Sequence, residues 1–288
     1  MFEKIMPWVR YAGYVGIAGL GEPFLERCLP AVLRQIIAAG AAPSVITNGT
    51  LIDDRLIEEL VDIGPMLLDV SIDGATKETF EAIRKGGNFE AVVDNIMRLQ
   101  EAKARAGTAY PVVQINWVWL KSNLHEVSEL AALAEKMGAV AIRTQPVFLK
   151  GLPEMAHEAV TDVEVEHANR EVRVHLNPSI DLVNAPLNTL QSECAGNGAQ
   201  GRKSFFCPNI WNTMQISPQG NVRVCCMGNF PDLGNIMEQP LNEIWNSPAM
   251  MNIRRAQMQG NPPDECRRCY LLQSHSGKAA SRVLKQYR

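Results

Sequence analysis

The sequence shows no long apolar run, no visible signal-peptide pattern and no strong excess of either charge. No apolar run approaches the roughly 20 residues that a membrane-spanning helix needs. The first ten residues, MFEKIMPWVR, have no apolar centre of the kind found in signal peptides. The net charge of −3 provides no basic surface for nucleic acid or anionic lipid. We therefore expect a cytoplasmic protein that binds neither nucleic acid nor a membrane.

Cysteine is absent from the first 27 residues and concentrated towards the carboxyl end of the chain. In a reducing compartment such clustering favours metal or redox chemistry over disulfides. With 46% hydrophobic and 20% charged residues, the rest of the composition is that of an ordinary globular protein. The seven cysteines are Cys28, Cys194, Cys207, Cys225, Cys226, Cys266 and Cys269.

Up to about Lys150, short apolar runs alternate with amphipathic helical patterns. One such helix is capped by Asp53 and stopped at Gly64, and two more are predicted over 89–99 and 127–137. Alternation of this kind predicts parallel βαβ units, in an open sheet or a barrel. The predicted strands are Tyr14–Leu20, Ser44–Thr47, Met66–Ile72, Val112–Trp119 and Ala139–Arg143, and a weaker pattern predicts a helix over Val163–Val174 and a strand over Ile180–Val183.

Four of these strands end in small or hydrogen-bonding residues. Because the carboxyl ends of parallel strands lie on one rim, we expect these residues to lie near one another and near any ligand. Ordinary turns and helix caps are the alternative explanation, since Gly, Asn, Asp and Ser are typical of both. The four ends read Gly19-Leu20-Gly21-Glu22-Pro23, Thr47-Asn48-Gly49, Ser71-Ile72-Asp73-Gly74 and Leu120-Lys121-Ser122-Asn123.

The cysteine-rich region begins with a predicted hairpin, Met214–Ile216 and Val222–Val224, which has a cysteine on either side. Together with the Cys-x2-Cys pair that follows, the hairpin can offer four thiolates, which suit tetrahedral zinc or an iron–sulfur cluster. Buried cysteines that act as small apolar residues are the alternative. The four candidate ligands are Cys207, Cys225, Cys266 and Cys269, whereas Cys226 is expected to face the other way and Cys28 and Cys194 to be plain thiols.

The two halves together resemble a known family. Residues 14–150 resemble the core of radical S-adenosylmethionine (radical SAM) enzymes in IAGLGEP, VITNGTLI, LDVSIDGATKETFEAIRKGGNFEAVVDNI and LKSNLHEV. Residues 207–269 resemble the SPASM/Twitch auxiliary-cluster module in its four-cysteine form, through Gly220-x4-Cys225, LGNI, EIWNSP and the closing Cys-x2-Cys. The resemblance implies a partial (β/α)6 TIM-like barrel lacking its first strand over 1–190 and a small α+β cluster domain over 191–288.

The resemblance also implies a binding site for S-adenosylmethionine on the rim. The Gly-Glu-Pro turn would hold the methionine ammonium, through backbone carbonyls and the Glu22 carboxylate. Ser71 and Asp73 would face the ribose, and Arg84 is a candidate partner for the methionine carboxylate. By this resemblance the cofactor-binding residues are Gly19, Gly21, Glu22, Pro23, Thr47, Asn48, Ser71, Asp73, Arg84 and Asn123.

The family's Cys-x3-Cys-x2-Cys signature does not occur in these 288 residues. We expect a sequence truncated at its amino end, with a natural cluster-less homologue as the alternative. The catalytic cluster is then expected only in the full-length parent, and no catalytic residue is assigned here.

The intact parent would cleave S-adenosylmethionine reductively and abstract hydrogen from a peptide, protein or small-molecule substrate. It would take electrons from a donor such as flavodoxin or ferredoxin, and the four cysteines would hold an auxiliary 4Fe–4S cluster. The alternative from another class is a non-catalytic iron–sulfur or zinc-binding protein.

Overall fold

The computed structural model describes residues 1–147, 149, 153–184, 207, 209–225 and 230–267. The chain divides into two compact units, one formed by Val9–Ala185 and the other by Met1–Trp8 with Pro186–Arg288. The expected domain boundary between residues 190 and 191 lies outside the described residues, as do Cys194, Cys226 and Cys269. No helix among the described residues is both long and apolar enough to cross a membrane.

The first unit is built on a six-stranded sheet in which every neighbouring pair is parallel, in the order β1 to β6. This confirms the predicted α/β class. The strands are β1 (Tyr14–Ile17), β2 (Ala42–Thr47), β3 (Leu67–Ser71), β4 (Val112–Trp119), β5 (Ala141–Pro146) and β6 (Asp181–Asn184).

Helices connect these strands, and their ends are set by residues that the sequence makes recognisable. The Asp53 carboxylate accepts a hydrogen bond from Leu56 N, and Gly64 follows that helix with φ of 91°. Helix α1 (Phe2–Val9) precedes β1. The helices of the first unit are α2 (Leu29–Ala38), α3 (Asp54–Ile63), α4 (Lys77–Ile83), α5 (Phe89–Ala106), α6 (Val127–Lys136) and α7 (Asp162–His175). Short 3-10 helices lie at Pro23–Leu25, Lys121–Asn123 and Pro153–Glu158.

One face of the sheet packs against the helices and carries the apolar core. Trp117 and Trp119 of β4 are fully buried there and pack edge to face, with ring centroids 5.5 Å apart. The Trp119 indole N–H donates to Asn169 Oδ1 on α7 at 3.0 Å. Burial of large side chains stabilises this face, each by about 1.5–3 kcal/mol. We call the opposite face of the sheet, which is turned away from these helices, the inner face.

The second unit contains a small antiparallel sheet, of which the first two strands form the predicted hairpin. The third strand was not foreseen, because two residues are too few to give a pattern. Helix α1 groups mostly with this unit, and its Ile5 packs against the unit's buried core. The elements are β7 (Gln215–Ile216), β8 (Asn221–Arg223), β9 (Gly234–Asn235), α8 (Asn209–Asn212), α9 (Leu241–Trp245), α10 (Pro248–Met258) and α11 (Asp264–Arg267).

Candidate cofactor site and cysteine cluster

The Glu22 carboxylate joins the turn after β1 to the end of β2. Its Oε1 accepts from Thr47 Oγ1 at 2.7 Å and from Phe24 N at 3.2 Å, and its Oε2 accepts from Asn48 N at 2.7 Å. The Asn48 side chain is used locally, since its Oδ1 accepts from Thr50 N at 2.9 Å. Among the described residues Oε2 accepts from Asn48 N alone, so a further lone pair is available to another donor. The structure therefore brings Glu22, Thr47 and Asn48 together, as the strand ends predicted.

Gly19 and Gly21 are exposed beside this carboxylate. A Cβ atom placed on either glycine would meet nothing within 4 Å, so packing inside the chain does not require glycine at these positions. The space over the backbone is open, which fits close approach by a ligand. Pro23 begins the 3-10 turn that follows and fixes the backbone beside Glu22.

A second polar group forms where β3 and β4 end. Asp73 is 7% exposed, its Oδ2 lies 2.6 Å from Arg84 Nη2, and its Oδ1 accepts from Val118 N at 2.9 Å. The Asn123 amide donates to the Asp73 carbonyl at 2.9 Å and to the Val118 carbonyl at 2.8 Å. Burial raises the pKa of the Asp73 carboxyl, and the nearby Arg84 partly offsets the shift. Asp73, Arg84 and Asn123 thus form one network.

Ser71 and Asn116 face each other across β3 and β4 on the inner face. Each is 8% exposed, and the Asn116 Oδ1 atom is buried with no hydrogen-bond partner among the described residues. The Arg84 Nε atom is likewise buried and has no hydrogen-bond partner among the described residues. Because buried polar atoms are nearly always satisfied, unpartnered atoms at a strand end are consistent with a polar ligand.

Deeper on the inner face lies a charged network that was not predicted. Asp69 of β3 is 1% exposed, accepts from Gln114 Nε2 at 3.1 Å and pairs with Arg143 Nη2 of β5. Burial is the larger influence on the Asp69 carboxyl and raises its pKa, although Arg143 acts in the opposite sense. The sequence contained one signal for this network. Asp69, Ser71 and Asp73 are spaced two residues apart, which places them on one face of a strand, although the run from Met66 to Ile72 is mostly apolar.

Glu126 was also missed. This residue is 1% exposed, and its carboxylate accepts from Ala75 N at 2.7 Å and from Thr76 Oγ1 at 2.5 Å. It therefore fastens the loop after Asp73, which carries the turn into α4. A carboxylate that accepts hydrogen bonds from a backbone N–H and a hydroxyl holds a loop more firmly than neutral groups do.

Three of the four predicted cysteine ligands lie around one core in the second unit. Cys207 and Cys266 are each 9% exposed and belong to the same buried cluster, and Cys225 is partly buried and packs against it. Chain segments that are far apart in sequence thus converge on this core. The fourth ligand, Cys269, lies outside the described residues.

Within the described part of the chain, no group of three His, Cys, Asp or Glu side chains is arranged to hold a single metal ion. A 4Fe–4S cluster makes a different demand, because its four thiolates bind four different irons and stand further apart than the ligands of one ion. A donor set of sulfur in an apolar core suits such a cluster. The chemistry and convergence of the cysteines therefore fit an iron–sulfur cluster.

Comparison with known families gives a match in each unit. The model of the radical SAM superfamily matches residues 8–134, and the model of the SPASM iron–sulfur cluster-binding domain matches residues 207–270. The chain is 28% identical to the AdoMet-dependent heme synthase of Methanosarcina barkeri, over 79% of this chain and 66% of that protein. It is 26% identical to the PqqA peptide cyclase of Rhizobium meliloti, over 86% of this chain and 64% of that protein. It thus spans about two thirds of the length of each relative.

Solved structures show the same fold. Streptococcus suis SuiB bound to S-adenosylmethionine matches with a TM-score of 0.69 and 16% identity, over 99% of this chain and 66% of that chain. Native anSMEcpe with bound AdoMet matches with a TM-score of 0.63 and 15% identity, over 96% of this chain and 78% of that chain. At sequence identities of 16% and 15%, this structural similarity establishes the fold of the chain.

Proposed function

Because the chain belongs to the radical SAM superfamily and carries a SPASM domain, we propose that it is part of an enzyme that cleaves S-adenosylmethionine reductively and modifies a peptide or small molecule. The cofactors of the two families are S-adenosylmethionine and 4Fe–4S clusters. The rim of the first unit would bind the nucleoside, and the second unit would hold an auxiliary cluster. The observation that carries the proposal is the Glu22 carboxylate, held beside open glycines on the rim.

The rim offers complementary groups to a zwitterionic amino acid. The Glu22 carboxylate is the anion for an ammonium group, and the carbonyls of Gly19 and Gly21 can accept further hydrogen bonds. Arg84 is the cation for a carboxylate, although Asp73 holds one of its nitrogens at 2.6 Å. Ser71 and Asn116 add a hydroxyl and an amide that suit ribose or base atoms.

Reductive cleavage of S-adenosylmethionine supplies a carbon-centred radical that takes hydrogen from the substrate. Cys207, Cys225, Cys266 and Cys269 would hold the auxiliary cluster, whose chemistry is one-electron transfer. The Cys-x3-Cys-x2-Cys signature for the catalytic cluster does not occur in the 288 residues, so cleavage needs ligands that they do not supply.

For the substrate we propose a peptide. This proposal is supported by similarity, over 86% of the chain, to a PqqA peptide cyclase, an enzyme whose name gives a peptide as its substrate. The other candidate class of substrate is a small molecule, since the similar AdoMet-dependent heme synthase is named for a small-molecule product. A reduced flavodoxin or ferredoxin would supply electrons.

The test is binding of S-adenosylmethionine to the anaerobically reconstituted chain, measured by isothermal titration calorimetry. We expect Glu22→Ala to weaken binding by about 10- to 100-fold, because a hydrogen bond to a charged group contributes about 1.5–3 kcal/mol. We expect Asp73→Ala to weaken binding as well, because Asp73 holds Arg84 in place. Glu26→Ala is the matched control, since Glu26 is exposed on the same turn and bonds to Cys28 N.

Unchanged affinity in both the Glu22 and Asp73 variants would contradict the assignment of the rim. Metal analysis tests the second unit separately. We expect brown protein with equal iron and sulfide, and colourless protein with one zinc would favour a non-catalytic metal-binding role.

A further inference from the structure

A buried arginine lies in the core of the second unit. Arg254 of α10 is 6% exposed, and its guanidinium carbon lies 4.0 Å from the ring centroid of Trp245 and 5.6 Å from that of Trp211. Arginine stays protonated in proteins, and indole faces attract cations. A permanent positive charge is therefore fixed between two tryptophans inside this unit.

Hydrogen bonds fix the position of this charge. Arg254 Nε donates to the Ile210 carbonyl at 3.1 Å, and Nη1 donates to the Trp245 carbonyl at 3.0 Å. One turn further along α10, Gln257 is 3% exposed and accepts from the Trp211 indole N–H at 2.9 Å. Arg254 therefore links three helices, α8, α9 and α10, at one point.

The same helices position the cysteines. Ile210, whose carbonyl binds Arg254, follows Cys207 by three residues, and both belong to one buried cluster. Cys266 belongs to that cluster too, and it lies on α11, the next helix after α10. Arg254 thus contacts Ile210 of this cluster and the two tryptophans that pack against it, in an interior where charges are weakly screened.

We infer that Arg254 raises the reduction potential of the auxiliary cluster, an inference that rests on the cluster-binding function proposed above. A cluster gains one negative charge when it takes up one electron. A positive charge fixed in the surrounding core therefore stabilises the reduced form more than the oxidised form. Arg254 would thus help to make the auxiliary cluster an electron acceptor.

A purely structural role for Arg254 makes a different prediction. If the side chain only packs α10 against the two tryptophans, its loss lowers the unfolding temperature or the iron content without changing the potential of the clusters that remain. The charge and the packing can be separated, because lysine keeps the positive charge while losing the planar fork of donors.

The experiment is a redox titration of the reconstituted full chain with dithionite, followed by visible absorbance. We expect Arg254→Met and Arg254→Gln to shift the midpoint to more negative values, lowering the reduced-to-oxidised ratio about tenfold at a fixed solution potential. We expect Arg254→Lys to stay close to the wild type. Arg255→Met is the matched control, because Arg255 is exposed on the same helix and water screens its charge.

Several results would overturn the inference. One is a wild-type midpoint in both neutral variants, and another is an equal shift in Arg255→Met. If neither neutral variant retains iron, retention of iron with a wild-type midpoint in Arg254→Lys supports the role of the charge. If Arg254→Lys also fails to retain iron, the role of Arg254 is packing and the inference is overturned. Failure of the wild-type chain to bind iron would instead count against the proposed function itself.

Discussion

At the scale of single residues, the inner face of the sheet is defined by buried carboxylates. Asp69 and Asp73 are 1% and 7% exposed, and each is paired with an arginine. Removal from water disfavours a carboxylate more than the paired arginine favours it, so burial raises the pKa of both groups. Groups held at such a cost are more typical of functional sites than of structural cores.

The raised pKa of Asp69 predicts a specific dependence of stability on pH. Near its ordinary pKa of 3.8, the carboxyl loses its proton in the unfolded chain while the folded chain retains it. The free energy of unfolding therefore falls as pH rises from there to the higher folded pKa. We expect Asp69→Asn to flatten this fall, as measured by urea unfolding at a series of pH values.

Asp94→Asn is the control for this prediction, because the Asp94 side chain is 68% exposed on α5. We expect it to keep the wild-type slope. An Asp69→Asn variant with the wild-type slope would show that burial does not shift this carboxyl.

At the scale of elements, the turn from β3 into α4 is set by one glycine. A Cβ atom on Gly74 would lie 2.2 Å from Phe80 N and 2.5 Å from Phe80 Cα, both of which are backbone atoms within α4. The helix therefore packs directly on the turn, which Glu126 holds from the other side. This close approach brings Arg84, at the end of the same helix, to Asp73.

We predict that Gly74→Ala lowers the free energy of unfolding by about 1–3 kcal/mol, since backbone must shift to admit the methyl group. Urea denaturation followed by circular dichroism measures the change. Gly13→Ala is the matched control, as a Cβ there meets nothing within 4 Å, and we expect no loss of stability. Equal stability of the two variants would mean that α4 can move away from the turn.

At the scale of the whole molecule, the proposed rim site and the cysteine core fall in different units. The rim residues from Gly19 to Asn123 all lie in the unit of Val9–Ala185, and the cysteine core lies in the other. A change in the cysteine core should therefore leave the rim able to bind its ligand.

We predict that Cys225→Ser lowers the iron content and the absorbance near 400 nm of the reconstituted chain by more than half. Binding of S-adenosylmethionine should stay within about twofold of the wild type. Cys28→Ser is the control, because Cys28 is exposed and lies in the other unit. Full iron in Cys225→Ser would remove Cys225 from the ligand set, and equal losses in both variants would point to non-specific iron binding.

The sequence by itself determined the class of fold and the order of the six strands in the first unit. Apolar runs separated by helical patterns predict βαβ units because periodicity is a local property of the chain, and β4 was predicted to the residue. The Gly-Glu-Pro turn and the closing Cys-x2-Cys pair indicated the family for the same reason, since each motif is contiguous or nearly so.

Tertiary structure alone decided which polar residues meet. Asp69 and Arg143 are 74 residues apart, and their pairing depends on the register of β3, β4 and β5, which no local pattern encodes. The contact of Glu22 with Thr47 and the convergence of Cys207 and Cys266 on one core likewise arise from packing. Periodicity can place a side chain on a face, but only the folded sheet and core determine what it contacts there.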